Sequence, residues 1–65
     1  MDGTVVAFDE QRGLGTIRGD DGVEYPFHGT RIADGTRVIE VGRAVRFEVV
    51  PGHLGRWEAA EIEKR

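Results

Sequence analysis

The sequence predicts an all-β fold, a small five-stranded antiparallel barrel, and three observations carry that expectation. Ten glycines among 65 residues cut the chain at short intervals. The segments between them are rich in Val, Ile, Phe and Tyr and alternate apolar with polar positions, as half-buried strands do. No stretch carries a helical period. A chain of 65 residues holds one domain, read as residues 1–65. Five short strands bury one core best by curling into a barrel, which also removes exposed edges.

The first strand is expected over residues 3–8 and the second over 14–18. In the second, Gly15 and Ile17 share one face, while Leu14, Thr16 and Arg18 share the other. Asp20-Asp21-Gly22 then makes a tight turn, because Gly accepts positive φ and Asp bonds its own backbone. The third strand is expected over 24–28, the fourth over 44–50 and the fifth over 57–63. In the fourth, Val45, Phe47 and Val49 point one way; Ala44, Arg46, Glu48 and Val50 point the other. Residues 29–42 form a fourteen-residue connection without periodicity. A length of this kind reads either as a functional loop or as an ordered crossover containing a single helical turn. Pro51-Gly52-His53-Leu54-Gly55 is the last turn, with His53 read as solvent-exposed.

Composition excludes several function classes. Twelve acidic against nine basic residues leave a net charge of −3, which argues against holding nucleic acid by phosphate charge alone. The centre of the chain is locally positive, with four arginines from Arg31 to Arg46 facing only Asp34 and Glu40. The absence of cysteine points to an intracellular, cytoplasmic home without disulfides. No apolar run exceeds four residues, so neither a membrane helix nor a signal peptide is expected. The chain has no Ser or Cys nucleophile. Gly13-Leu14-Gly15 lacks the third glycine of a phosphate loop, and two histidines without cysteine give no metal-ligand spacing. Asp20-Asp21-Gly22 is too short for a calcium loop. A protein that is not an enzyme, with no cofactor and no metal, is expected.

Five segments in order carry a family likeness. Gly3-Thr4-Val5-Val6-Ala7-Phe8-Asp9 resembles the Gly-x-Val-Lys-Trp-Phe-Asn opening strand of cold-shock domains. Arg12-Gly13-Leu14-Gly15-Thr16-Ile17 resembles that family's first ribonucleoprotein motif, Lys-Gly-Phe-Gly-Phe-Ile. Tyr25-Pro26-Phe27-His28-Gly29-Thr30-Arg31-Ile32 is similar to the second, Val-Phe-Val-His-Phe-Ser-Ala-Ile, after a one-residue deletion. Val41 to Phe47 and Glu58 to Ile62 resemble its last two strands. The resemblance covers nearly the whole chain and implies an OB-type barrel of the cold-shock kind. The preserved spacing from His28 to Ile32 favours a register in which Tyr25 and Phe27 point into the barrel.

The resemblance also implies binding of single-stranded RNA or DNA, as an RNA chaperone or a regulator of transcription or translation, and nothing in the sequence points beyond a monomer. Carried over by position, the nucleic-acid-binding residues are Phe8 (stacking), Leu14, Thr16 and Pro26 (surface against bases), His28 (stacking or hydrogen bonding), and Arg12 and Arg18 (phosphate). The aromatic platform is thinned. Ala7 stands where the family has Trp, Leu14, Thr16, Pro26 and Gly29 stand where it has Phe, and Val6 replaces a Lys. Base–aromatic stacking contributes about 1–3 kcal/mol per base, so weak binding is expected. The alternative left open is an OB-barrel protein-interaction module that has lost nucleic-acid binding. Trp57, the sole tryptophan, has three readings: packing over the barrel rim, a relocated stacking ring, or a partner anchor.

Overall fold

A computed structural model describes residues 1–65, the side chain of His53 excepted. The expectation for His53 therefore lies outside the described residues. Five strands form one antiparallel sheet: β1 (Asp2–Asp9), β2 (Leu14–Gly19), β3 (Glu24–His28), β4 (Ala44–Pro51) and β5 (Trp57–Lys64). Their spatial order is β3-β2-β1-β4-β5. The sheet curls until β5 meets β3. A parallel bridge joins Ile32 to Ile62, and the Ala33 N–H donates to the Ile62 carbonyl at 2.8 Å.

Strand boundaries follow the alternation and the turn residues. β3 has the expected limits, and each other strand extends by one residue at one or both ends. The interior is made by Val5, Ile17, Phe27, Val45, Phe47 and Ile62, each almost wholly removed from water. Burial of such a side chain contributes about 1.5–3 kcal/mol. Tyr25 and Phe27 both point inward, so the inward register of β3 is the one adopted. Tyr25 meets Phe47 at a ring-centroid distance of 5.5 Å, tilted by 56°.

The connection after β3 begins with a single 3-10 turn, Gly29–Arg31. It then contributes Ile32 and Ile39 to the core, so it is an ordered crossover that lids one end of the barrel. Gly29 needs the absence of a side chain here, because a Cβ would lie 2.8 Å from the Arg37 carbonyl oxygen. Gly3 likewise lets strands approach closely, since a Cβ would lie 2.6 Å from the Arg18 carbonyl.

Candidate nucleic-acid interface

The outer faces of β1, β2 and β3 meet in register. Asp9, Leu14 and His28 form one cross-strand row, Ala7, Thr16 and Pro26 a second, and Thr4, Arg18 and Glu24 a third. Strands lie about 4.8 Å apart and residues rise about 3.3 Å, so the three rows cover roughly 10 by 13 Å. Leu14 is 40% exposed, Pro26 and His28 are exposed, and Thr16 between them is half-buried. The surface is small, shallow and weakly apolar, with one ring on it.

A turn built from backbone bonds holds the upper edge. The Asp9 Oδ1 accepts the N–H groups of Gln11 and Arg12 at 3.1 and 3.2 Å. Gly13, at φ +67°, donates its N–H to the Asp9 carbonyl at 2.8 Å and accepts the Gly29 N–H at 2.7 Å. Positive φ at this point is why the turn uses glycine. Arg12 projects from the turn beside the first row, loosely paired to Asp9 at 3.9 Å.

Of the residues expected to contact a ligand, Leu14, Thr16, Arg18, Pro26 and His28 share this face, with Arg12 at its edge. Phe8 does not join them. Its register row is Phe8, Gly15 and Phe27, on the inner side of the sheet, and its half-buried ring packs on the core. The cause is a β-bulge between Val5 and Ala7. The extra residue, Val6, reverses the parity of the strand, turning Ala7 outward and Phe8 inward. A Cβ on Gly15 would lie 2.5 Å from Phe27, which explains why the middle of that row carries no side chain. The exposed edge of Phe8 instead borders a shallow hollow with Glu10, Val38 and Lys64 at the barrel end.

Charge on the face is nearly balanced. Arg18 donates to Glu24 at 2.7 Å, with both side chains more than half exposed. Such a surface pair contributes about 0–1 kcal/mol, so it yields readily to a competing anion. In the turn below, the Tyr25 hydroxyl donates to Asp21 at 2.6 Å and holds that carboxyl below its ordinary range; the Val23 N–H adds to the effect. The same bond pushes the Tyr25 phenol up. Away from the face, the backbone and hydroxyl of Thr36 hold Asp34 down to about 2. Among the described residues no group of three His, Asp or Glu side chains is placed to hold a metal ion.

Two features of the site were not legible in the sequence as positions. Arg37, at φ +62°, carries its backbone over Gly29, the position at which the resemblance places a ring. Trp57, distant in sequence, lies across a groove from Pro26.

The whole chain, residues 1–65, matches the family model described as the 'Cold-shock' DNA-binding domain. The chain belongs to the cold-shock domain family. Among curated relatives, Glycine-rich protein 2 of Nicotiana sylvestris is 42% identical, over 92% of this chain and 29% of the relative. This cold-shock domain thus spans under a third of that relative's length. Membership places it in a nucleic-acid-binding family, and its five antiparallel strands are those of the expected OB-type barrel. No helix of the described residues of this cold-shock domain is long and apolar enough to cross a membrane.

Proposed function

We propose that this cold-shock domain binds single-stranded RNA or DNA weakly on the outer face of β1–β3, as a non-enzymatic chaperone or regulator in the cytoplasm. The observation that supports this most is the registered grid of Leu14, Thr16, Pro26 and His28, flanked by Arg12 and Arg18. The uncharged centre of this grid, with cations at its edges, suits unstacked bases above and phosphates beside them. His28 offers a ring, Leu14 and Pro26 offer apolar contact, and the two arginines supply charge to the backbone. Phe8 supports the face from beneath through Phe27.

The test is a comparison of fluorescently labelled single-stranded and duplex oligonucleotides of one sequence, at low and moderate salt. The reading expects the single strand to bind more tightly and to weaken with salt, with log affinity falling by about 0.7 per phosphate contact per log unit of salt. Equal binding to the duplex, or none to either at low salt, overturns it; the second result favours the protein-interaction alternative.

A further inference from the structure

We propose that Trp57 is a base-stacking ring of this domain, set across the seam between β3 and β5, and that Arg56 takes the adjoining phosphate. The proposal deepens the reading above and rests on it: the outer face of β1–β3 carries a single strand, and that strand continues onto Trp57.

The geometry starts from barrel closure. Trp57 opens β5, paired with Pro51 of β4, and its side chain is 58% exposed. Because β5 closes against β3, Arg56 and Trp57 form one wall of an open groove of about 440 Å³. Val23, Glu24, Tyr25 and Pro26 form the other wall. Pro26 belongs to both surfaces, as the last member of the Ala7–Thr16–Pro26 row and as a wall of the groove. The groove is therefore a lateral continuation of the face, one strand further round the barrel.

Chemistry selects the occupant. A tryptophan presents the largest π-surface of any side chain, and exposed rings beside cations are what sequence-tolerant binding of single strands uses. The grid has only His28 as a ring, so a strand lying on it gains most by reaching a second one. Arg56 forms no ion pair among the described residues, and Glu24 on the facing wall is already neutralised by Arg18 at 2.7 Å. The Tyr25 hydroxyl on the same wall is committed to Asp21. The groove thus offers a ring and an unpaired cation on its β5 wall, with Glu24 the one carboxylate opposite and paired to Arg18, which fits a nucleotide better than a neutral apolar partner.

Trp57 is the only tryptophan, so its fluorescence reports on this site alone. The full chain is titrated at low salt with a labelled oligothymidine, reading label anisotropy and tryptophan emission together. The proposal expects the two signals to follow one isotherm, with emission quenched. It expects Trp57→Ala to lose about tenfold or more in affinity, Trp57→Phe to recover most of it, and Arg56→Gln to reduce the salt slope by about 0.7. Amide spectra of each variant confirm the fold. Binding seen by anisotropy with unmoved emission and an unaffected Trp57→Ala overturns this proposal and leaves the face intact. No anisotropy change at low salt overturns both.

Discussion

Phe8 and Phe27 stack in parallel across Gly15, with ring centroids 5.9 Å apart and planes within 7°. The two rings come from β1 and β3, and the glycine between them belongs to β2. The second glycine of the first ribonucleoprotein motif is thus a packing device beneath the outer face of β1–β3. Gly15→Ala is expected to cost about 1–3 kcal/mol, because its Cβ would fall on Phe27 and on the Ala7 carbonyl oxygen at 2.7 Å. Urea unfolding measures it, and an unchanged midpoint would refute the role assigned to the stack.

Phe8→Ala should likewise act on stability before binding. A half-buried phenylalanine packed on the core contributes about 2 kcal/mol. Oligonucleotide affinity, measured at a temperature where the variant remains folded, should change less than in His28→Ala.

His28→Ala and Leu14→Ala, by contrast, remove exposed side chains from the first row of the grid. Each is expected to leave the unfolding midpoint within experimental error and to weaken single-strand binding by about five- to hundredfold, the range that ring or apolar contact with a base implies. Wild-type affinity in both would show that the strand lies elsewhere.

Glu24 competes for Arg18 through an exposed ion pair. Glu24→Gln removes that competitor, and affinity at low salt should rise several-fold, with the gain shrinking as salt screens the charge. Isothermal titration across a salt series reads both quantities. A fall in affinity would mean that Glu24 itself contacts the strand.

The bond between Tyr25 and Asp21 sets a pH window for stability. The Asp21 carboxyl is lowered from 3.8, first by the Tyr25 hydroxyl, so its contribution is present above the unfolded value and lost as pH falls through the folded one. The Tyr25 phenol is raised from 10.0, first by Asp21, so its contribution is present below that value and lost as pH climbs through the folded one. Thermal melts of wild type and Tyr25→Phe should therefore differ by a constant amount between roughly pH 5 and 9, converging as acid protonates Asp21. A gap that persists in strong acid would assign the stabilisation to packing alone.

The strands were readable because glycine punctuation and alternating apolar residues are local signals, and β3 took its expected limits for that reason. Its inward register was readable from the distance between His28 and Ile32, one of which ends the strand while the other enters the core. The inward parity of Phe8 was not legible because a bulge leaves no mark in composition; Val6 is as strand-like as its neighbours, yet it reverses the parity of the rest of the strand. Ile32 and Ile39 sit in a segment without periodicity, so their burial follows only from the crossover's path over the barrel end. Trp57 across a groove from Pro26 is a product of closure, a juxtaposition of residues far apart in sequence that no local pattern encodes.

Whether the outer face of β1–β3 carries a single strand is read most directly by an amide-resolved NMR titration with short pyrimidine-rich and purine-rich oligonucleotides at low salt. Shifts concentrated at residues 12–18 and 26–28, with the outer positions Ala44, Arg46 and Glu48 of β4 unmoved, are the predicted result. A silent spectrum, or shifts centred on β4, would contradict it.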